Sequence, residues 1–564
     1  FKPGTTTFPK GHVHRKGALP LPCDIVFDRD VAVPMRDGIT LHIDIFRPPG
    51  NGKFPALLAW SPYGKRGGYQ TLDLFPLRFG IPVGVLSDLQ VWEGPDPAYW
   101  CNHGYAVVNV DSRGAFMSEG DIGWFCAQEG KDGYDLIEWL VTQDWSNGKV
   151  GMTGNSWLAV IQWFIAAARP PHLTAIAPWE GMTDLYRDIS NRGGIPDGDF
   201  PEWIASHLYG NNRTADVPAM VDRYPMMNSF WKSQIPELEK INIPAYIVAS
   251  YTNPVHTRGT LEGFRKIDTQ EKWLRIHNTQ EWLDYYEPKY IDDLRRFYDH
   301  YLKGADNGWQ QTPRVRMSVL NPGGKDEIDR PETEFPPARA KHKKLFIDAS
   351  SNKMTPDPVE NESQVSYLAD NHKGKTSFSY VFDQDTEVIG YLKLRLWVEA
   401  KGSDDMDLFV YLQKLSSSGK VLTHMAIAQH KRLRWLLKFL RFTGISQAGF
   451  IFYSGPLGRI RVSHRQLDPD RSTPEAPVLT HAQEERLSPG QIVPVDIELW
   501  PTAMRFESGE QLRVLVTGHP MKGSLPPFLK LPKTRSKGDH IIHGGGRYDS
   551  HLLIPVVLSR PSGR

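Results

Sequence analysis

The sequence predicts an α/β fold, a doubly wound parallel sheet, followed by a domain built from strands. Three observations carry this expectation. Apolar runs alternate with helical stretches over the first part of the chain, which is the pattern of a parallel sheet with helices on its faces. A Gly-x-Ser turn, Gly154-Asn155-Ser156, stands between a strand-like run and an apolar helix-like run. From about Pro313 the character changes to short alternating strands separated by turns, the signature of a β-sandwich.

Each element follows from local pattern. Ile25 to Val33 and Gly38 to Phe46 read as an antiparallel entry pair, joined by the turn Met35-Arg36-Asp37-Gly38. Phe54 to Trp60 and Tyr105 to Val110 are continuously apolar, as strands covered on both faces must be. Gly130 to Thr142 carries apolar residues at helical spacing and leads into the strand Lys149 to Thr153. Val160 to Ala168 is the apolar helix after the Gly-x-Ser turn, and Leu173 to Pro178, Ala245 to Ser250 and Lys272 to His277 complete the strands. Two segments, Lys65 to Tyr99 and Leu185 to Lys240, break the rhythm and read as insertions over the sheet, the second as a helical cap at about 185–240. The expected division is therefore 1–312 for the α/β domain and 313–564 for the β domain. In the latter, Tyr391 to Val398, Leu408 to Leu412, Val495 to Leu499 and Leu512 to Val516 alternate as strands do. The stretch His430 to Phe442 is basic and apolar at helical spacing, and reads as an inserted helix packed on its neighbour, with a membrane-surface or partner-binding face as the alternative.

Composition excludes several function classes. A net charge of +1 provides no field for a nucleic acid or other polyanion. The three cysteines, Cys23, Cys101 and Cys126, make no disulfide framework and no CxxC metal spacing, so neither metal nor cofactor is expected. No apolar run reaches the ~18 residues that span a bilayer. The chain opens at Phe1 without a basic-apolar-small signal pattern, and a cytoplasmic location is the simplest expectation. The expected partner is a small-molecule substrate, and self-association as a homo-oligomer stays open.

A strand, a tight turn and a helix are what a nucleophile elbow requires. The turn pushes the hydroxyl of Ser156 out at the carboxyl end of the sheet and leaves the amide of Trp157 to hold an oxyanion. The second small residue is Ala159, displaced by one position from the usual glycine.

Further stretches give the chain a resemblance to the cocaine esterase and X-prolyl dipeptidyl peptidase family of α/β-hydrolases, which includes α-amino acid ester hydrolases. They are Trp60-Ser61-Pro62-Tyr63-Gly64-Lys65, Asp111-Ser112-Arg113-Gly114 with Ser118-Glu119-Gly120, Arg258-Gly259-Thr260-Leu261-Glu262, and Leu499-Trp500-Pro501-Thr502-Ala503 with Arg505-Phe506. The resemblance implies an α/β-hydrolase domain with a helical cap and a carboxyl-terminal jelly roll. It also implies Ser156 as nucleophile and Tyr63 as an oxyanion-hole tyrosine beside the Trp157 amide. Two positions depart from the family pattern. The triad Asp falls on Asn253 and the triad His on Glu281, with His277 four residues upstream at a strand end.

Three functions remain open on these residues. In the first, Ser156 carries out acyl transfer on an ester or amide of a small organic substrate. His277 or His256 then serves as a relocated base, and Glu180 replaces the missing acid. In the second, Tyr63 and the Trp157 amide polarise a carbonyl while Glu281 moves a proton, giving an isomerase, lyase or cyclase. The third is a non-catalytic relative that binds a ligand. Burial would have to raise the Glu281 pKa from about 4.3 toward neutrality for it to exchange protons there. Alternatively Glu281 forms an ordinary salt bridge with Arg275. Asp111 and Arg113 read as an ion pair buttressing the loop beside the elbow. Trp157, Trp179, Trp203, Tyr209 and Trp231 line a pocket or fill a core.

Overall fold

The computed structural model of the chain describes residues 1–66, 72–74, 76–426, 452–521 and 530–558. The basic stretch 430–442 lies outside the described residues. Two compact units share the chain. One comprises Phe1–Asp188, Glu202–Asp216 and Phe230–Arg314; the other comprises Ile189–Pro201, Val217–Ser229 and Val315–Arg564. The segment expected as a cap is thus divided between the units, and its helices are short: Asp199–Ala205, Val217–Arg223 and Ser229–Ser233.

The first unit is built on strands β1 (Gly4–Phe8), β2 (Ile25–Pro34), β3 (Thr40–Arg47), β4 (Phe54–Ser61), β5 (Ala106–Asp111), β6 (Ser146–Asn155), β7 (Leu173–Trp179), β8 (Ala245–Ser250) and β9 (Lys272–His277). They lie in the order β1-β2-β3-β5-β4-β6-β7-β8-β9. β1, β2 and β3 run antiparallel to their neighbours, and β2 and β3 pair Val33 with Leu41 on either side of the Met35–Gly38 turn. From β5 to β9 every pairing is parallel. β5 and β8 are buried at every position, which is why their sequences are apolar runs rather than alternations.

Helices cover both faces of this sheet. Side chains three residues apart on a strand point to opposite faces. A Cβ on Gly151 of β6 would meet Tyr298 and Leu302 of the helix Pro288–Lys303, whereas one on Gly154 would meet Leu158 of the helix Trp157–Ala167. The latter helix is buried at Trp157 through Ala166, so it is apolar all round instead of amphipathic. It is covered by the helix Ala127–Val141, whose Gly133 lies where a Cβ would come 2.3 Å from Ile165 and whose Gly130 lies 2.8 Å by the same measure from the Phe164 carbonyl.

From Val315 onward the second unit is built mainly from strands. Its long strands Thr386–Lys401 and Val493–Phe506 pair antiparallel, as do Asp407–Leu415 and Gln511–Thr517. Inward residues such as Leu392, Leu394, Leu396 and Val398 alternate along one strand and pack with Val495, Ile497 and Ile554 into a single apolar core.

The tightest backbone requirement lies at the end of β6. Gly154 has φ +143°, and a Cβ there would sit 2.5 Å from the Leu158 Cβ. Gly154→Ala should therefore destabilise the first unit by about 1–3 kcal/mol in urea unfolding followed by tryptophan fluorescence. An unchanged midpoint would show that the turn is not under this steric constraint.

Candidate active site

Ser156 occupies the junction between β6 and the helix Trp157–Ala167, with φ 54° and ψ −119°. Side chains rarely adopt this conformation, and a strand-to-helix turn with no spare residue imposes it. The usual second glycine position is taken by Leu158, whose Cβ lies 2.5 Å from where a Cβ on Gly154 would sit, and the small residue Ala159 follows one position later. Trp157 opens the helix, and its amide is among the first-turn N–H groups that have no partner inside a helix. Its ring is buried against Phe125 at 4.1 Å, Trp124 at 5.3 Å and, edge-on, Tyr63 at 6.0 Å between centroids. Tyr63 is thereby held beside the elbow, its own amide donating to the Ser61 hydroxyl at 3.0 Å.

Asn253 and Glu281 are brought together. The Asn253 carbonyl oxygen accepts from the amides of Val255 at 2.9 Å and His256 at 3.2 Å, where the chain turns into the helix Thr257–Lys266. This leaves the Asn253 amide nitrogen to donate to Glu281 Oε2 at 2.8 Å. An acid–histidine pair would place an acceptor at the first position and a donor at the second. Here donor and acceptor are exchanged and the hydrogen bond is kept. The residue before the nucleophile ties the pair to the elbow, since Asn155 Nδ2 donates to the Glu281 carbonyl at 3.0 Å.

The two histidines take different surroundings. His277 is fully buried at the end of β9, with Nε2 2.8 Å from Glu180 Oε1 and Nδ1 2.9 Å from the Thr279 hydroxyl. That hydroxyl donates to Asp284 at 2.5 Å, and Asp284 is held by the buried Arg275 guanidinium at 2.7 Å. Arg275 is therefore matched to Asp284 and not to Glu281, which removes the salt bridge that sequence proximity suggests. His256 presents Nε2 to Glu281 Oε1 at 3.5 Å, too long for a good hydrogen bond. Burial drives its pKa down to about 3, so its imidazole is neutral and weakly basic.

Other expectations resolve differently. Asp111 and Arg113 do not pair with each other. Asp111 receives Lys65 Nζ at 2.6 Å, while Arg113 turns to Asp132 and Asp37 at 2.5 and 2.8 Å. Asp111 ends β5 and Arg113 lies two residues beyond it in the following turn, and each finds its own buttress. Trp179 and Trp231 are buried among other rings, whereas Tyr209 is 47% exposed. Among the described residues, no group of three or more His, Cys, Asp or Glu could hold a metal ion, and no helix is long and apolar enough to cross a membrane.

One residue of the site is absent from the sequence reading. Glu93 lies within the 65–99 insertion, buried, with φ 66°. Its carbonyl accepts from the Asn155 amide at 3.1 Å and its Oε1 from the Trp282 indole at 2.7 Å. No spacing marks it, because its neighbours in space come from β6 and from the loop after β9.

These carboxyl groups lie in a low-dielectric setting. The Glu281 pKa is raised well above the ordinary carboxylate value, by burial first and then by the charges of Glu93 and Glu180, against the bond from Asn253. Burial likewise lifts Glu93 to about 8. A folded-state pKa above the unfolded value of about 4.3 means that the folded chain binds the extra proton. Stability is then fullest below about pH 4.3 and is lost as pH rises through the folded value. Glu281→Gln cannot ionise, so its stability should gain on wild type by at least about 1 kcal/mol between about pH 5 and pH 8 in urea unfolding. A difference that does not widen with pH would show that Glu281 is already ionised in the folded protein.

Comparison with known proteins places the chain among hydrolases. The family model described as X-Pro dipeptidyl-peptidase (S15 family) matches residues 37–280, and that of the X-Pro dipeptidyl-peptidase C-terminal non-catalytic domain matches residues 307–553. A cocaine esterase of Rhodococcus sp. (strain MB1 Bresler) is 37% identical over 160 residues, which cover 28% of this chain and 24% of that protein. An Xaa-Pro dipeptidyl-peptidase of Streptococcus pneumoniae is 23% identical over 42% of this chain and 41% of its own length. Over nearly the full length, a crystal structure of a CocE/NonD family hydrolase from Staphylococcus aureus superposes with TM-score 0.89 at 33% identity, covering 99% of this chain and 97% of that one. Matching architecture, an elbow serine and relatives named as esterases and peptidases lead to one conclusion: the chain belongs to the CocE/NonD hydrolase family and is an enzyme of the serine-hydrolase fold.

Proposed function

We propose that the protein cleaves an ester or amide of a small organic substrate by acyl transfer through Ser156, with Glu281 in place of the usual histidine. The observation that supports this most is the bond from Asn253 to Glu281, which preserves the third-group-to-base relation of a triad while exchanging its polarity. In the first step Ser156 Oγ attacks the carbonyl carbon and its proton passes to the Glu281 carboxylate. The carbonyl oxygen becomes an oxyanion, held by the Trp157 amide and the Tyr63 hydroxyl. Collapse of that intermediate breaks the bond to the leaving group, which takes the proton from Glu281. Water then attacks the acyl-serine, giving its proton to Glu281, and a second collapse returns that proton to Ser156 and frees the acid. His277 is bonded to the Thr279 hydroxyl through Nδ1 and lies with Nε2 against the Glu180 carboxylate, and His256 is a weak base, so we assign the role to neither.

A carboxylate accepts a proton only when ionised, and burial defers that ionisation to higher pH. The rate constant kcat/KM should therefore climb with pH past the plateau near 6.5 that an unperturbed imidazole would set. A fluorophosphonate should label Ser156 with unit stoichiometry, and Ser156→Ala should lose both labelling and ester cleavage. Full turnover in Ser156→Ala would end the acyl-transfer reading.

A second reading has its own support. Burial and the neighbouring Glu93 and Glu180 raise the Glu281 pKa and so favour its protonated form, an acid suited to giving a proton to a substrate oxygen. Non-hydrolytic chemistry on a carbonyl compound, as in an isomerase, lyase or cyclase, would use that acid with the oxyanion hole and no nucleophile. Its mark is a turnover that survives Ser156→Ala and falls at least about tenfold in Glu281→Gln.

A further inference from the structure

Asn155 touches two glutamates at once. Its backbone amide donates to the Glu93 carbonyl at 3.1 Å and its side chain to the Glu281 carbonyl at 3.0 Å. Both acceptors are backbone carbonyls, so Asn155, the residue before Ser156, ties the Glu93 and Glu281 segments together. The link is closed a second time by Trp282, the neighbour of Glu281, whose indole donates to Glu93 Oε1 at 2.7 Å and whose ring packs on Trp92 at 5.2 Å. Glu93 and Glu281 are 2% and 5% exposed, and each retains one buried oxygen, Glu93 Oε2 and Glu281 Oε1, without a hydrogen-bond partner among the described residues. Among the described residues neither forms an ion pair with a Lys or Arg. Glu281 also faces Glu180 and His256, and Glu93 faces Tyr285 and Tyr286, so no fixed cation offsets their charges.

We infer that Glu93 is a positioning residue for Glu281, the two forming a buried carboxyl pair across Asn155 that ionises as a unit and sets when Glu281 can take or give a proton. Two carboxyls that interact in this way lose their protons in two steps, the upper one displaced because the second charge forms beside the first. Glu93 needs no contact with substrate for this. Its indole partner fixes one oxygen, and its charge acts on Glu281 through a medium that screens poorly. The inference rests on the reading of Glu281 as the residue that moves the proton, in either reaction.

The test is infrared titration of the full chain, following the carbonyl stretch of protonated carboxyl groups in wild type, Glu93→Gln and Glu281→Gln. Glutamine keeps the acceptor that the Trp282 indole requires. The Glu281 band, assigned by its loss in Glu281→Gln, should titrate at least about one pH unit lower in Glu93→Gln than the upper step of wild type. The rate of fluorophosphonate labelling should move to lower pH by the same amount. Coupling is reciprocal, so Glu281→Gln should lower the Glu93 midpoint as well, which keeps the test alive should Glu93→Gln not fold. Midpoints that stay in place would overturn the pair. Failure of Ser156 to label, with the infrared shift intact, would overturn the acyl-transfer reading and leave the pair standing.

Discussion

The hydrogen bond from Asn253 to Glu281 is the interaction on which the rest of the site depends. Its donor is oriented by the turn that starts the helix after β8, and its acceptor is set by a loop that Asn155 holds against the nucleophile strand. Neither side chain suits the other's usual companion. An asparagine amide brings no charge to balance an imidazolium, and a glutamate opposite an aspartate would leave two charges facing each other. Together they satisfy one another, the amide donating and the carboxylate accepting.

That bond also has to work against its surroundings. Hydrogen bonding from Asn253 favours the ionised carboxyl, while burial and the neighbouring Glu93 and Glu180 favour the protonated one. The balance lies with protonation, because desolvation acts on the whole charge and a single neutral donor compensates only part of it. The Glu180–His277–Thr279–Asp284–Arg275 chain beside it links the residue after β7 to β9, buried except at the half-buried Thr279, and ends in a guanidinium.

The sheet was legible from its sequence because buried parallel strands must be apolar throughout, and Ala245–Ser250 and Lys272–His277 have the bounds that their patterns suggest. The elbow was legible because a Gly-x-Ser turn needs a strand on one side and a helix on the other. Asn253 and Glu281 could be located by counting from strand ends, but their contact could not, since 28 residues separate them and only the fold closes the gap. Glu93 was invisible for the same reason in stronger form: it sits 188 residues from Glu281 in an insertion whose residues follow no period. Arg275 and Asp111 misled in the opposite way, each having a plausible partner nearby in sequence and a better one in space.

The close seating of the helix Ala127–Val141 on the nucleophile helix bears on how this enzyme could be engineered. Replacing glycines by alanines within helices is a routine means of raising thermal tolerance, because it restricts the unfolded chain. At Gly130 and Gly133 that route is closed, since an added methyl would drive into the Phe164 carbonyl and the Ile165 side chain. Any such gain would be offset by pushing apart two helices packed at this distance, one of which begins at Trp157 beside Ser156. A sturdier variant would have to be sought on exposed loops instead, leaving the spacing between these helices as a gauge block that the rest of the design is measured against.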